Sequence, residues 1–191
     1  MGKVIMHAVV SVDGFIADDN DDVGPLFDWY FNGDRPLEHM GMALSAASYE
    51  YTRPLWDSIG ATIMGRRLFD QTNGWDAKPP AGDHLVVVSH RPKPDGWHPE
   101  ADVPFFDDVA DAVAEATRRA GDRVVAVTAG QMGGQALAAG LVDEVAMDVV
   151  PVVFGRGKRY FGDVDGQLML GDPEIVVRGE RVLHLRYPVA R

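Results

Sequence analysis

A chain of 191 residues, 46% hydrophobic and 25% charged, has the size and composition of one globular domain with its own core. It contains no cysteine, which excludes disulfides, thiol nucleophiles and cysteine-ligated zinc and fits a reducing cytoplasm. A formal net charge of -11 argues against general nucleic-acid binding and against docking on an anionic membrane.

Residues 3–10 form a β-rich opening run, and His7, Ser11 and Asp13 interrupt any signal-peptide core. Residues 18–22 are acidic and turn-prone and read as a solvated loop tip, and Gly24-Pro25 extends the break. The aromatic stretch 26–31 predicts a short helix or a lid. Residues 44–59 carry a mostly helical pattern that Pro54 makes irregular. A short apolar strand at 61–64 ends at Gly65. Asn73-Gly74 and the run 78–82 make a loop before Leu85-Val86-Val87-Val88, a strand suited to burial on both faces. Residues 90–104 hold four prolines and are expected to be irregular.

The clearest helix is 107–119. Asp107 or Asp108 can cap it, Val109, Ala112, Val113 and Ala116 make its apolar stripe, and Gly121 is placed to end it. A strand at 124–127, a small-residue loop and a helix at about 132–139 follow. That uncharged region is a strand, loop and helix, not a membrane span. Residues 144–150 form a further strand, and 175–177 with 182–187 form an antiparallel hairpin turning around Gly179. Alternating strands and helices predict a parallel sheet covered on both faces, and the hairpin makes it mixed. No repeat or linker divides the chain, so one α/β domain is expected over residues 1–191.

Several strands end in motifs that suit a phosphorylated ligand. After the strand at 124–127, Thr128-Ala129-Gly130 leads into a helix whose first amides carry partial positive charge. A pyrophosphate fits there, and so does a plain strand-to-helix turn. Gly65-Arg66-Arg67 sets two guanidinium groups beside a strand end, where each can hold a phosphate with paired bonds or meet a surface carboxylate. Ser89-His90-Arg91 adds a second group of this kind.

The order S-x-D-G-x-I-A (Ser11 to Ala17), M-G-R-R (Met64 to Arg67), V-S-x-R (Val88 to Arg91), the small-residue loop, G-L-V-D-E (Gly140 to Glu144) and P-x-x-x-G-x-G (Pro151 to Gly157) resembles the dihydrofolate reductase superfamily. The branch it is most similar to is the C-terminal reductase domain of bacterial riboflavin biosynthesis. The resemblance covers about residues 3–187. It implies a three-layer α/β fold with a mixed, mostly parallel sheet, and NADPH lying across the strand ends. By position, the backbone of Val9 and Ile16 would hold the nicotinamide carboxamide. Gly65, Arg66, Arg67, Ser89, His90 and Arg91 would surround the 2′-phosphate and adenine. Gly130, Gln131, Met132 and Gly133 would form the pyrophosphate loop. Thr128-Ala129 stand where the family commonly has two glycines, and Leu68 where it usually has a threonine.

The implied reaction is hydride transfer to a C=N or C=O group of a flat pterin- or pyrimidine-like heterocycle by a cytoplasmic homodimer. Two other readings stay open. One is a dimeric small-ligand-binding protein without turnover, and the other is a redox enzyme using a flavin. Asp28, before Trp29-Tyr30-Phe31, is the nearest counterpart of the buried carboxylate of folate reductases. It reads as a proton donor or as a helix cap facing water. Asp13 is expected to shape the turn before Gly14. His7, His39, His84, His90, His98 and His184 show no metal-binding spacing, so no metal is expected. Trp29, Tyr30, Phe31, Trp56, Phe69 and Trp75 either line a flat pocket or build core.

Overall fold

The computed structural model describes residues 2–37 and 41–190. The chain begins with β1 (Val4–Ser11) and β2 (Phe15–Ala17), followed by a 3-10 helix at Gly24–Phe31 that carries Pro25 in its first turn. A small hairpin, β3 (Arg35–Leu37) and β4 (Met42–Leu44), leads into α1 (Ala46–Ser58), which contains Pro54. Then come β5 (Ile59–Gly65), α2 (Arg66–Thr72), a 3-10 turn at Asn73–Ala77, β6 (His84–Val88) and β7 (Phe105–Phe106). The remainder is α3 (Val109–Ala120), β8 (Val124–Thr128), α4 (Gln131–Ala138), β9 (Glu144–Val150), β10 (Lys158–Arg159), β11 (Ile175–Arg178) and β12 (Leu183–Pro188).

Eight strands form one sheet in the order β11-β12-β9-β1-β8-β5-β6-β7. From β9 to β7 every neighbouring pair is parallel, while β12 runs antiparallel to β9 and to β11. The mixed, mostly parallel sheet expected from the sequence is therefore present. The parallel pairing brings the carboxyl ends of β1, β5, β6 and β8 to one edge, where such sheets bind ligands.

Helices cover both faces. On one face α3 and α4 bury Ala112, Ala116, Ala136 and Leu137 against Met6, Val10, Ile63 and Val127. The Asp108 carboxylate caps α3 by accepting from the amides of Ala110 (2.7 Å) and Asp111 (3.0 Å), and Gly121 ends it at φ 65°. On the other face lie α1, α2 and the 3-10 helix. Leu55 of α1 packs on Ile5 and Ala146, whereas Phe69 of α2 packs on Met64, Leu85 and Val87. Trp29 and Tyr30 stack at 4.0 Å and are buried with Val9, Leu26 and Val150.

The main-sheet strands other than β7, and the helices α1, α3 and α4, lie within a few residues of the predicted ranges, whereas α2 had no predicted counterpart. The pieces of two or three residues, β2, β3, β4, β7 and β10, were not foreseen. Tertiary pairing makes them: Tyr160 N–H donates to Gly14 O (2.9 Å), and β10 pairs with β2.

Candidate functional site

The motifs singled out in the sequence converge at the carboxyl edge of the sheet. Gly65 ends β5, Ser89 follows β6, and Ala129 and Gly130 follow β8. The turn Ser11 to Phe15 closes β1, with Ser11 Oγ accepting from the Phe15 amide (2.9 Å) and donating to Asp13 Oδ1 (2.6 Å). Asp13 also accepts from the amides of Phe154 (3.1 Å) and Gly155 (2.7 Å). The Ser11 hydroxyl bond, together with those amides, holds its pKa below the usual carboxylate value despite some desolvation. Its role is structural, as the sequence suggested, and it ties two loops together.

Gly130 is the N-cap of α4 at φ 100°, a conformation that side chains rarely adopt. A methyl group there would lie 3.3 Å from Ile16 Cδ1. The Gly130 amide donates to Tyr160 O (2.7 Å), and Gln131 Oε1 accepts from the Asp163 amide (3.1 Å). Gly133 sits against Thr128 O so closely that a Cβ would come within 2.6 Å of it. Gly130 to Gly133 and Ile16 thus share one small-residue cradle, with Val9 buried nearby on β1. The Thr128–Ala129 peptide is trans, as are the other described peptides.

The cations stand beside this cradle, and carboxylates hold them. Arg66 Nε donates to Asp70 Oδ1 (2.7 Å), and Arg91 Nη2 donates to Asp70 Oδ2 (2.5 Å). Arg67 Nη2 donates to Asp21 Oδ2 (2.6 Å), drawing the acidic loop over the edge. Arg66 Nη1 also reaches Pro92 O (3.1 Å) and, at 3.4 Å, Ser89 Oγ. The hydrogen bond from Arg66, helped by that from Arg91, holds the Asp70 pKa below its usual value although burial opposes it. His90 is exposed at the same edge. The structure therefore gathers all six residues expected around the phosphate and adenine at one edge. It adds Asp70, which the sequence reading did not single out, and it shows Asp18 to Asp22 to be more than a solvated tip.

Between α1 and α2 the sheet is incompletely covered over β8, and this opening is taken as the groove of the site. In β8 the alternate residues Val125 and Val127 are buried beneath α3 and α4, while Val124, Ala126 and Thr128 on the opposite face are half-buried. A central strand half open on one face marks the gap between α1, over β1 and β9, and α2, over β5 and β6. At the far end of β5 and β8, a cavity of about 770 Å³ is lined by Arg53, Trp56, Ile59, Thr72, Trp75 and Arg123 among others. Trp56 and Trp75 thus line a cavity, whereas Trp29, Tyr30 and Phe69 are core and Phe31 is exposed.

Asp28 is exposed on the 3-10 helix whose buried residues are Leu26, Trp29 and Tyr30. The structure does not give it the apolar enclosure a proton-donating carboxylate needs. Two carboxylates are buried on this face: Glu144, whose oxygens are held by Lys3 and Arg186, and Asp148, which the sequence reading passed over. It lies on β9, 1% exposed, opposite Val9 of β1 and His184 of β12. Its Oδ2 meets His7 Nε2 at 2.8 Å and its Oδ1 meets His184 Nδ1 at 2.6 Å. His184 Nε2 is 2.9 Å from Ser48 Oγ on α1. Burial alone would raise the Asp148 pKa, but the His7 charge and the hydrogen bonds from both rings outweigh it and bring it to about 2. Asp148 is therefore ionised and accepts from both imidazoles. The signal for it was a charged residue inside an apolar strand, which requires partners. His7 and His184, read as unremarkable, are those partners, while His39 lies outside the described residues. Among the described residues, no group of three or more His, Cys, Asp or Glu is arranged to hold a metal ion, and no helix is long and apolar enough to cross a membrane.

A family model described as the RibD C-terminal domain matches residues 2–184. Three solved structures share the fold at low identity. A candidate riboflavin biosynthesis protein from Shewanella sp. PV-4 is 19% identical with a TM-score of 0.71, and each chain covers 100% of the other. The diaminohydroxyphosphoribosylaminopyrimidine deaminase/5-amino-6-(5-phosphoribosylamino)uracil reductase of Thermotoga maritima is 12% identical with a TM-score of 0.64. That match takes in 99% of this chain and 57% of that one. A dihydrofolate reductase of Enterococcus faecalis, complexed with NADP(H) and RAB-propyl, is 14% identical with a TM-score of 0.60 over 100% of this chain and 98% of that one. No curated protein matches the sequence.

Proposed function

Because the chain belongs to the RibD C-terminal domain family, we propose that it is an NADPH-dependent reductase of a flat, pyrimidine- or pterin-like heterocycle. The observation that carries this reading is the meeting of a small-residue cradle, an arginine cluster and a half-open groove at one sheet edge. The cradle fits a dinucleotide. Gly130 takes a backbone conformation that leaves its Cα bare toward Ile16, and α4 begins directly after it, so backbone can approach a pyrophosphate. Arg66, Arg67 and Arg91 supply the charge for a 2′-phosphate.

When bound, the dinucleotide supplies a hydride. The protein's own part is to hold and orient. Val9 and Ile16 offer backbone groups near the end of β1, Gly130 to Gly133 line the pyrophosphate position, and the groove over β8 accepts the heterocycle. Thr128 and Ala126 are small enough to let a flat ring lie on the sheet. The same reading carries a homodimer acting in the cytoplasm. Exposed Leu168, Met169 and Val176 toward the carboxyl end are apolar surface suited to a second copy.

Titration of the purified chain with NADPH and NADH, followed by nucleotide fluorescence, tests the proposal. Micromolar NADPH binding that weakens in Arg66→Ala is the expected result. Binding of neither nucleotide would refute the reductase reading.

A further inference from the structure

We propose that His7 is the proton donor of the groove, positioned by Asp148 and, through it, by His184 and Ser48. This inference rests on the reductase reading above. Reducing a C=N group takes a hydride on carbon and a proton on nitrogen. In the balanced step a C–H bond forms at the ring carbon, and the ring nitrogen takes the proton as the N–H bond of His7 Nδ1 breaks. The hydride would come from the C4–H bond of the dihydronicotinamide, which breaks and leaves the oxidised dinucleotide. Solvent then returns a proton to His7.

Geometry selects His7 by elimination. Asp28 is exposed. Asp13 spends its oxygens on Ser11 and on the amides of Phe154 and Gly155. Asp148 is fully enclosed and both its oxygens are taken by imidazoles. His184 is 0% exposed, with Asp148 on one ring nitrogen and Ser48 on the other. His7 differs from all of these. It pairs in register with Thr128 of β8, whose outward face is the half-open floor of the groove. Its side chain keeps 19% exposure. Its Nε2 is committed to Asp148, and no hydrogen-bond partner among the described residues reaches Nδ1.

The surrounding groups explain how the ring is held. An ionised Asp148 accepts from His7 Nε2–H, which fixes the ring plane and leaves Nδ1 for a ligand. Asp148 is itself fixed from the other side. His184 Nδ1–H donates to its second oxygen, and Ser48 Oγ can donate to His184 Nε2 while Ser45 Oγ lies 3.2 Å from Ser48 Oγ. A carboxylate clamped by a second imidazole cannot swing away when His7 changes charge. That is the kind of outer support that keeps a reacting group within its working geometry.

The test uses the full chain as wild type, His7→Gln, His7→Ala and Asp148→Asn. Each is measured for NADPH affinity by fluorescence and for NADPH oxidation with 7,8-dihydrofolate, 7,8-dihydropterin and 5-amino-6-ribosylaminouracil. Long-range ¹H–¹⁵N spectra of the histidine rings are recorded on the nucleotide-free protein. We expect unchanged NADPH affinity in both His7 variants, with kcat lowered about 100-fold or more and KM little changed. Imidazole added to His7→Ala should restore part of kcat, a rescue that a purely structural histidine would not show. In neutral wild-type His7 the ring spectra should show the Nε2–H tautomer, and Asp148→Asn should mix the two tautomers. Turnover in His7→Gln within threefold of wild type, or a wild-type His7 held as the Nδ1–H tautomer, would overturn the proton-donor role alone. Absence of NADPH binding by the wild-type chain would instead remove the reductase reading, and the inference with it.

Discussion

Replacing Asp148 with Asn keeps the shape of the side chain and removes its charge. The carboxylate now accepts from two N–H groups, at 2.8 Å from His7 and 2.6 Å from His184. An amide offers one acceptor and one donor, so one of the two rings must change tautomer or lose its bond. The size of the effect follows from the pKa. A fall from the ordinary 3.8 to about 2, at somewhat over 1 kcal/mol per pH unit, is worth on the order of 2–3 kcal/mol. Breaking a buried charged pair typically costs about 3–5 kcal/mol. We therefore expect Asp148→Asn to lose about 2–4 kcal/mol at pH 7, and thermal unfolding to move down by roughly 5–15 °C for a chain of this size. The folded value lies below the unfolded one, so between them the unfolded state binds more protons and stability rises with pH. The wild-type advantage should be complete above the unfolded value of 3.8 and fade as pH falls toward about 2. Urea melts of both proteins from pH 7 down to pH 3 measure it. A variant within about 0.5 kcal/mol of wild type at pH 7, a change typical of surface sites, would refute the claim that the carboxylate is clamped and ionised.

Asp70 stands between Arg66 and Arg91, where it would repel a 2′-phosphate held there. Asp70→Asn should therefore raise the preference for NADPH over NADH by about 3- to 10-fold, an estimate from a screened charge several ångströms away, as measured by parallel fluorescence titrations. Gly130→Ala places a methyl group at φ 100° beside Ile16. It should weaken nucleotide binding and lower stability by about 1–2 kcal/mol, read by the same titration together with a melt. Tyr160 is fully buried, with its hydroxyl 2.7 Å from Ala146 O and 3.1 Å from Met6 O, and burial pushes its pKa well above the usual phenol value. Tyr160→Phe should cost about 1–2 kcal/mol in denaturant melts without changing the pH dependence between 5 and 9. Asp108→Ala removes the cap of α3 and should cost about 1 kcal/mol, seen as faster amide exchange in the first turn.

The large elements of the fold were legible because burial writes itself into the sequence. Leu85 to Val88 and Val124 to Val127 are uninterrupted apolar runs, and they are interior strands of the sheet with α3 packed over one face. Asp108, the apolar stripe and Gly121 marked α3 to within two residues. The short strands were not legible because nothing local makes them. Lys158 and Arg159 are a strand only because β2 lies alongside, and the Arg35–Leu37 and Met42–Leu44 pair closes on Gly33, whose amide donates to Ala43 O (2.8 Å). A propensity argument sees four or more residues at a time, and these pieces are shorter than that.

The convergence of the strand-end motifs was legible for a related reason. Glycines, arginines and strand ends are local signals, and parallel topology then collects the ends at one edge. What remained hidden was pairing across distance. Asp70 looked like one more surface acid until β6 brought Arg91 beside Arg66. His7, Asp148 and His184 are separated by 141 and 36 positions along the chain, so no spacing rule could join them. Strand parity still carried half of the message. His7 shares a face with Ile5 and Val9, and Asp148 shares one with Ala146, so an ionisable group was due on a packed face in each strand. Two such groups at one depth in a sheet must neutralise each other's desolvation or be excluded from the fold. Here they do so beside the half-open floor at Thr128. A buried charge enclosed on every side would be a matter of stability alone. One that ends in a partly exposed imidazole at a ligand groove also has a proton to give.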